Sequence, residues 1–137
     1  MAANSRLAVG LHAMVALAYR APERVSSDEL AFSVRTNPVV MRRVIAALAR
    51  RGLVRISKGR SGGAELARAP SQISVYEVYA ALGDGGRFAL HAQQAEPSCK
   101  VSCAMKGILT DLFQRADAAL EHELRRTRLS ELVAKVE

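Results

Sequence analysis

The stretch from Ser26 to Ala67 leaves few folds open to this chain. Ser26 or Ser27 stands where a helix N-cap is expected. Asp28 and Glu29 follow in the first turn, where acidic side chains oppose the positive end of the helix dipole. The helix they open, SDELAFSV, is short. Arg35-Thr36-Asn37 reads as a turn. Thr36 or Asn37 caps a further helix with Pro38 at its first position, where the missing N–H has no cost. Val40, Val44, Ile45 and Leu48 have the spacing of that helix's buried face. Gly52 ends it. LVRIS then alternates with period two, KGRSGG is a cationic glycine-rich turn, and AELA is the return strand of a hairpin.

Charge follows the same division. Residues 1–70 carry 12 Lys+Arg against 4 Asp+Glu, a net of +8, whereas residues 71–137 carry 8 against 9, a net of −1. An excess confined to one half points to a face for a polyanion. Only 4% of the residues are aromatic, so the stacking platforms that single strands need are missing. The polyanion expected is duplex DNA.

The flanking segments read as helices. Leu7, Leu11, Met14, Val15 and Ala18 recur at helical spacing until Pro22. Arg6 followed by the apolar run Leu7–Ala18 resembles a secretory signal. His12 interrupts it, however, and no cleavage site precedes a mature start, so a cytoplasmic protein is expected. No apolar run is long enough for a membrane span. After Pro70, ISVYEVYAALG is a helix with Val75, Val78, Tyr79 and Leu82 on its apolar face. Residues 83–98 have no period and read as a loop. Met105, Ile108, Leu109, Leu112, Phe113, Ala116, Leu120 and Leu124 mark a long amphipathic helix, broken at 125–128. A last short helix carries Leu129, Leu132, Val133 and Val136, after a Thr127 or Ser130 cap.

Helix, helix, turn, helix and two-stranded wing is the winged helix-turn-helix. The fold class expected is mainly α with a small β-wing, plus a long C-terminal dimerisation helix. The expected organisation is a DNA-binding domain over 1–82, a sensor loop over 83–104, and dimerisation and C-terminal helices over 105–137. A helix fits the major groove, and arginine can donate two bonds to a guanine edge. Val39, Arg42 and Arg43 are therefore the expected readout residues, with Ala46 at the margin. Ser26 and Ser27 offer hydroxyls and helix N-terminal amides to a phosphate. Lys58 and Arg60 supply charge at the wing tip, where Gly62 and Gly63 allow close backbone approach. Arg50, Arg51 and Arg55 can equally be a solvated face, and the two glycines can equally serve the hairpin alone. No phosphate-binding glycine loop, Ser/His/Asp set or paired-carboxylate site is visible, so an enzyme is not expected.

The segment GLHAMVALAYRAPERVSSDELAFSVRTNPVVMRRVIAALARRGLVRISKGRSGGAELARAPSQISVYEVYAAL resembles the bacterial IscR/NsrR/CymR (Rrf-two type) family of transcription regulators. The turn and helix before RGLV, the KGRSGGAELA wing and the ISVYEVYAAL helix carry the resemblance. The loop and long helix extend it over nearly the whole chain. It implies a homodimer in which the long helix pairs across a two-fold axis. It also implies binding to a palindromic operator, usually as a repressor. The uncovered apolar stripe supports a dimer independently, the alternative being that it packs back on the first helix.

Members of that family often sense redox or nitrosative signals through an iron–sulfur cluster. Three loop cysteines and one further ligand hold it. This chain has only Cys99 and Cys103 in that loop, and Ala8 stands where cluster-binding relatives can place an acid. A cluster takes four protein ligands, mostly thiolates, so it is disfavoured and no cofactor is expected. Zinc also takes four, and the scattered His12, His91 and His122 do not complete a set. A thiol switch is expected instead. Ser102 is the expected cap of the long helix. Cys103 follows among free helix amides, with Lys100 and Lys106 adding positive charge, conditions that favour a reactive thiolate. Cys99 is the expected resolving thiol, within one chain or across the dimer. The alternatives are that both cysteines are ordinary and that the repressor responds to a small molecule.

Overall fold

The computed structural model describes residues 5–83 and 88–136. The elements run α1 (Ser5–Arg20), α2 (Ser27–Val34), α3 (Pro38–Arg50), β1 (Val54–Ser57), β2 (Gly63–Leu66), a 3-10 turn (Pro70–Gln72), α4 (Val75–Ala81), α5 (Lys100–Arg126) and α6 (Leu129–Val133). Local chemistry explains the boundaries. Ser26 caps α2 by accepting the Glu29 amide at 3.1 Å. Arg35 ends α2 in the left-handed conformation, φ 65°, and the Thr36 amide then reaches the Ala31 carbonyl at 2.9 Å. Asn37 caps α3 through the Val39 amide at 2.7 Å, with Pro38 in the first turn.

One core joins these pieces. Met14 and Leu17 of α1, Leu30 of α2, Met41, Val44 and Leu48 of α3, Leu53, Ile73, Val78 of α4 and Leu129 of α6 are all buried within it. Met41 holds the central place expected for Val40, which packs only at the edge. Gly10 marks a close approach to the end of α4: a Cβ there would strike the Leu82 side chain. Glycine in a helix costs roughly 1 kcal/mol against alanine, and the close approach of α1 to Leu82 is its reason here.

The wing is an antiparallel pair with register Val54↔Leu66, Arg55↔Glu65, Ile56↔Ala64 and Ser57↔Gly63. Val25, just before α2, joins it. The Val25 amide donates to the Ala64 carbonyl at 3.0 Å and accepts in return through its own carbonyl at 2.8 Å.

The C-terminal half departs from expectation in detail. α5 begins at Lys100, and its N-cap is Cys99, not Ser102. Neither Thr127 nor Ser130 caps α6. The Glu131 carboxylate accepts from the Arg128 amide instead, at 2.6 Å. Two backbone bonds, Val75 to Thr127 and Leu129 to Ile73, both 2.9 Å, fold the chain back so that Leu129 enters the core. Above this anchor, where Arg125 lies 4.2 Å over the Tyr76 ring, α5 carries no buried residue. Its stripe is split. Phe88 stacks on Phe113 at 5.2 Å, and Met105, Leu109, Phe113 and Ala116 are half-buried. Val101, Ile108, Leu112 and Leu120 stay exposed. No helix among the described residues is long and apolar enough to cross a membrane.

Ser74 and Glu77 form a capping box at α4, and Arg68 reaches the Glu77 carboxylate at 2.8 Å. The Arg68 guanidinium holds this carboxyl below the usual glutamate range; burial acts against it, and the Ser74 amide adds to the lowering. A depressed folded value stabilises the fold above the ordinary glutamate pKa, and that contribution is lost as pH falls through the folded value. Glu77→Gln is therefore expected to lower stability at neutral pH by roughly 1 kcal/mol, allowing for partial exposure. Thermal midpoints of parent and variant should converge as the solution is acidified; a constant gap refutes the linkage.

Candidate nucleic-acid interface

The Val25–Ala64 pairing sets the wing beside the start of α2, and α3 closes the third side. The result is a groove of about 400 Å³, lined by Ser26, Ser27, Arg42, Ile45, Ile56, Ser57, Gly59, Arg60, Gly62, Gly63 and Ala64. Six of the nine residues expected to meet DNA thus share one concavity. Arg43 and Lys58 are exposed outside it, and Val39 is 45% exposed near the start of α3.

Charge on this side is sorted by pairing. Arg20 bonds Glu29 at 2.7 Å and also pairs with Glu23. Glu65 accepts from both Arg24 and Arg55 at 3.1 Å, and these two, Arg55 foremost, hold its carboxyl below the usual range. Arg55 is thereby taken up within the wing. Arg35, Arg43, Arg50, Lys58 and Arg60 have no ion-pair partner among the described residues. Sequence reasoning placed Arg35 only in the turn. Its side chain is exposed and its backbone left-handed, just before the α3 cap, and it lines a separate cavity with Asp28, Phe32, Thr36 and Pro38. The available signal was its position directly before Thr36-Asn37-Pro38.

Two expected roles look different in the structure. The Ser26 hydroxyl is engaged in the cap and lies 3.4 Å from Glu29 Oε1. Gly62 and Gly63 have a reason within the hairpin. A Cβ on Gly62 would strike the Ser57 carbonyl oxygen, and one on Gly63, at φ 142°, would lie 2.7 Å from the Val25 carbonyl oxygen. His12 is exposed on α1, with its Nε2 3.0 Å from Ser33 Oγ.

Cys99 and Cys103 are both exposed. Cys99 Sγ accepts from the Ser102 amide at 3.4 Å, and the Cys103 thiol donates to the Glu96 carbonyl at 3.5 Å. Together with the Ser102 hydroxyl, which accepts from the Glu96 amide at 2.8 Å, they pin residues 96–99 to the start of α5.

Three helices packed on one core, a basic wing and an outward, exposed face on the third helix define a winged helix-turn-helix DNA-binding protein. The chain belongs to the Rrf2 family, whose model, described as an iron-dependent transcriptional regulator, matches residues 3–135. It is similar to the HTH-type transcriptional regulator YwnA of Bacillus subtilis (strain 168), at 35% identity over 131 residues, covering 95% of this chain and 96% of that protein. Its fold is similar to T. potens IscR, with TM-score 0.73, 22% identity and 97% and 86% of the two chains covered. It is similar also to the oxidized form of Staphylococcus aureus CymR, with TM-score 0.73, 20% identity and 100% and 99% covered. The protein is a DNA-binding transcription regulator and not an enzyme.

The family description names iron. Among the described residues no three His, Cys, Asp or Glu side chains converge as metal donors. Two thiols at one helix start do not make the four-ligand set of a cluster, so the donors among the described residues do not fit one.

Gly62→Ala is expected to destabilise the DNA-free protein by about 1–3 kcal/mol, since the clash is with wing backbone. Thermal unfolding without DNA reads this. An unchanged midpoint assigns the glycine to close approach of a ligand instead.

Proposed function

We propose that this chain is a homodimeric repressor acting in the cytoplasm on a palindromic operator, and that oxidation of Cys99 and Cys103 switches it. Ser27, Val39, Arg42 and Arg43 meet the major groove and its flanking phosphates. Lys58 and Arg60 meet phosphate from the wing. A second copy covers Val101, Ile108, Leu112 and Leu120, because an exposed apolar side chain of that size gains about 1.5–3 kcal/mol on burial. No cofactor is required.

The observation that carries the switch is the pair of thiol hydrogen bonds holding residues 96–99 on α5. A peroxide takes one thiol to a sulfenic acid with loss of water or alcohol. The other thiol then attacks it, releasing water and leaving a disulfide. Cys99, the extended N-cap, holds the first turn by accepting the Ser102 amide through its Sγ, and a disulfide to Cys103 takes that sulfur away from the cap. An intrachain bridge therefore opens the first turn of α5. An intersubunit bridge pulls two such turns together. Either change moves the dimer helix, which sets the spacing of the two winged domains on DNA.

A second reading rests on a smaller cavity of about 240 Å³ between the loop and α5, lined by Leu90, His91, Gln93, Gln94, Ser102 and Lys106 among others. In that reading a small polar effector fills it and the cysteines are incidental.

Operator affinity, measured reduced and after mild peroxide, separates the two. A reversible loss on oxidation, absent in Cys99→Ser and Cys103→Ser, is expected. Equal affinity in both states overturns the switch and favours the effector. For the wing, Lys58→Ala with Arg60→Ala is expected to flatten the salt dependence of binding by about two in log–log slope. An unchanged slope removes the wing from the contacts.

A further inference from the structure

Arg42 and Arg43 are adjacent on α3 but differently held. Arg43 has no partner among the described residues. Arg42 Nη1 lies 3.8 Å from Asp28 Oδ1, with the two side chains 58% and 79% exposed. Asp28 is thus an open carboxylate beside a face that carries the chain's positive excess. The other acids of residues 1–70 bind arginines elsewhere: Glu23 and Glu29 hold Arg20, and Glu65 holds Arg24 and Arg55. Asp28 alone among the four is paired with an α3 arginine.

Stability does not account for it. An exposed ion pair contributes little, and Glu29 already supplies an acid to the first turn of α2. Affinity for a polyanion argues against it, because a carboxylate at the groove repels phosphate. Discrimination does account for it.

We propose that Asp28 is a positioning residue that orients Arg42 and thereby sets operator selectivity. The guanidinium is a planar fork of five donors. With Nη1 turned to Asp28, the other edge stays free to donate two parallel bonds to guanine O6 and N7. On unrelated DNA the same guanidinium is drawn to the nearest phosphate. Moving there strands the Asp28 carboxylate, unpaired, against the polyanion. The acid therefore weakens non-specific binding more than specific binding, and selectivity is that difference. This inference rests on the reading of α3 as the readout helix.

The test uses the full chain, a duplex it selects from a random pool, and a scrambled duplex of equal length and composition. Asp28→Asn keeps the shape and removes the charge. It is expected to raise affinity for scrambled DNA several-fold, steepen the salt slope by about one, and cut the operator-to-scrambled ratio roughly tenfold. Asp28→Glu, which keeps the charge, is expected to restore part of the ratio. In an Arg42→Ala background Asp28→Asn is expected to change the ratio no further. Circular dichroism confirms that each variant is folded. If Arg42→Ala lowers the ratio and Asp28→Asn does not, the positioning role is overturned while α3 readout stands. An equal loss with and without Arg42 overturns it too, since Asp28 then acts independently. If Arg42→Ala leaves the ratio unchanged, Arg42 is not a readout residue and the inference falls with that reading.

Discussion

Two hydrogen bonds between Val25 and Ala64 hold this fold's functional surface together. They make the residue before α2 a short third partner of the wing. Without them the hairpin would be a two-stranded ribbon, and such ribbons are marginal in water. With them, the wing is fastened to the helix start that also carries the Ser26 cap, and Ile45 of α3 lines the groove between. Gly63 is what permits so close a crossing. The buried Val25 and Ala64 side chains then tie this backbone junction into the core. Sequence, local geometry and groove are linked at this one crossing.

Elements with a self-contained local signal were legible. α2 and the start of α3 agree with their cap residues, and the wing strands follow from period-two alternation around a glycine turn. What escaped depends on distant partners or on weak donors. The Val25 bridge joins residues far apart in sequence. Cys99 is an uncommon cap, because sulfur is a weak acceptor, so Ser102 looked the better candidate. The 3-10 turn at Pro70–Gln72 is too short to show a period. The stripe on α5 read as one surface because its spacing does not reveal that Phe88 returns to cover Phe113.

The candidate site was legible as a set of residue types, less so as a set of roles. Six residues expected at the DNA face do converge on one groove. Sequence alone could not say which charges remain available. Arg24 and Arg55 share Glu65, and Arg20 takes Glu23 and Glu29, so three of the positive charges of residues 1–70 are spent on holding the wing and α2 in place. The glutamates in these pairs are already subtracted in the net +8, so that excess is carried by the other cations of residues 1–70. The cations without an ion-pair partner among the described residues sit at the turn, on α3 and at the wing tip, in Arg35, Arg43, Arg50, Lys58 and Arg60. Non-specific affinity scales with the number of phosphates neutralised. A protein that internalises part of its charge therefore binds random DNA less and depends more on readout.

The same economy appears at the other end of the molecule. α5 is anchored where Arg125 meets Tyr76 and where residues 127–129 pair with 73–75. Toward its start, the loop and the helix are joined by the Ser102 hydroxyl, by the Cys99 and Cys103 sulfurs and by the Phe88–Phe113 stack. Hydrogen bonds to thiols are among the weakest a protein uses, and both cysteines are open to solvent. In the proposed switch, this lightly held start of α5 is the part that oxidation would displace. The fixed end adjoins Leu129, buried in the same core as Met41 and Leu48 of the readout helix. Packed cores respond to displacement as units rather than by gradual deformation, so the proposed oxidation of Cys99 and Cys103 would reach α3 through this shared core.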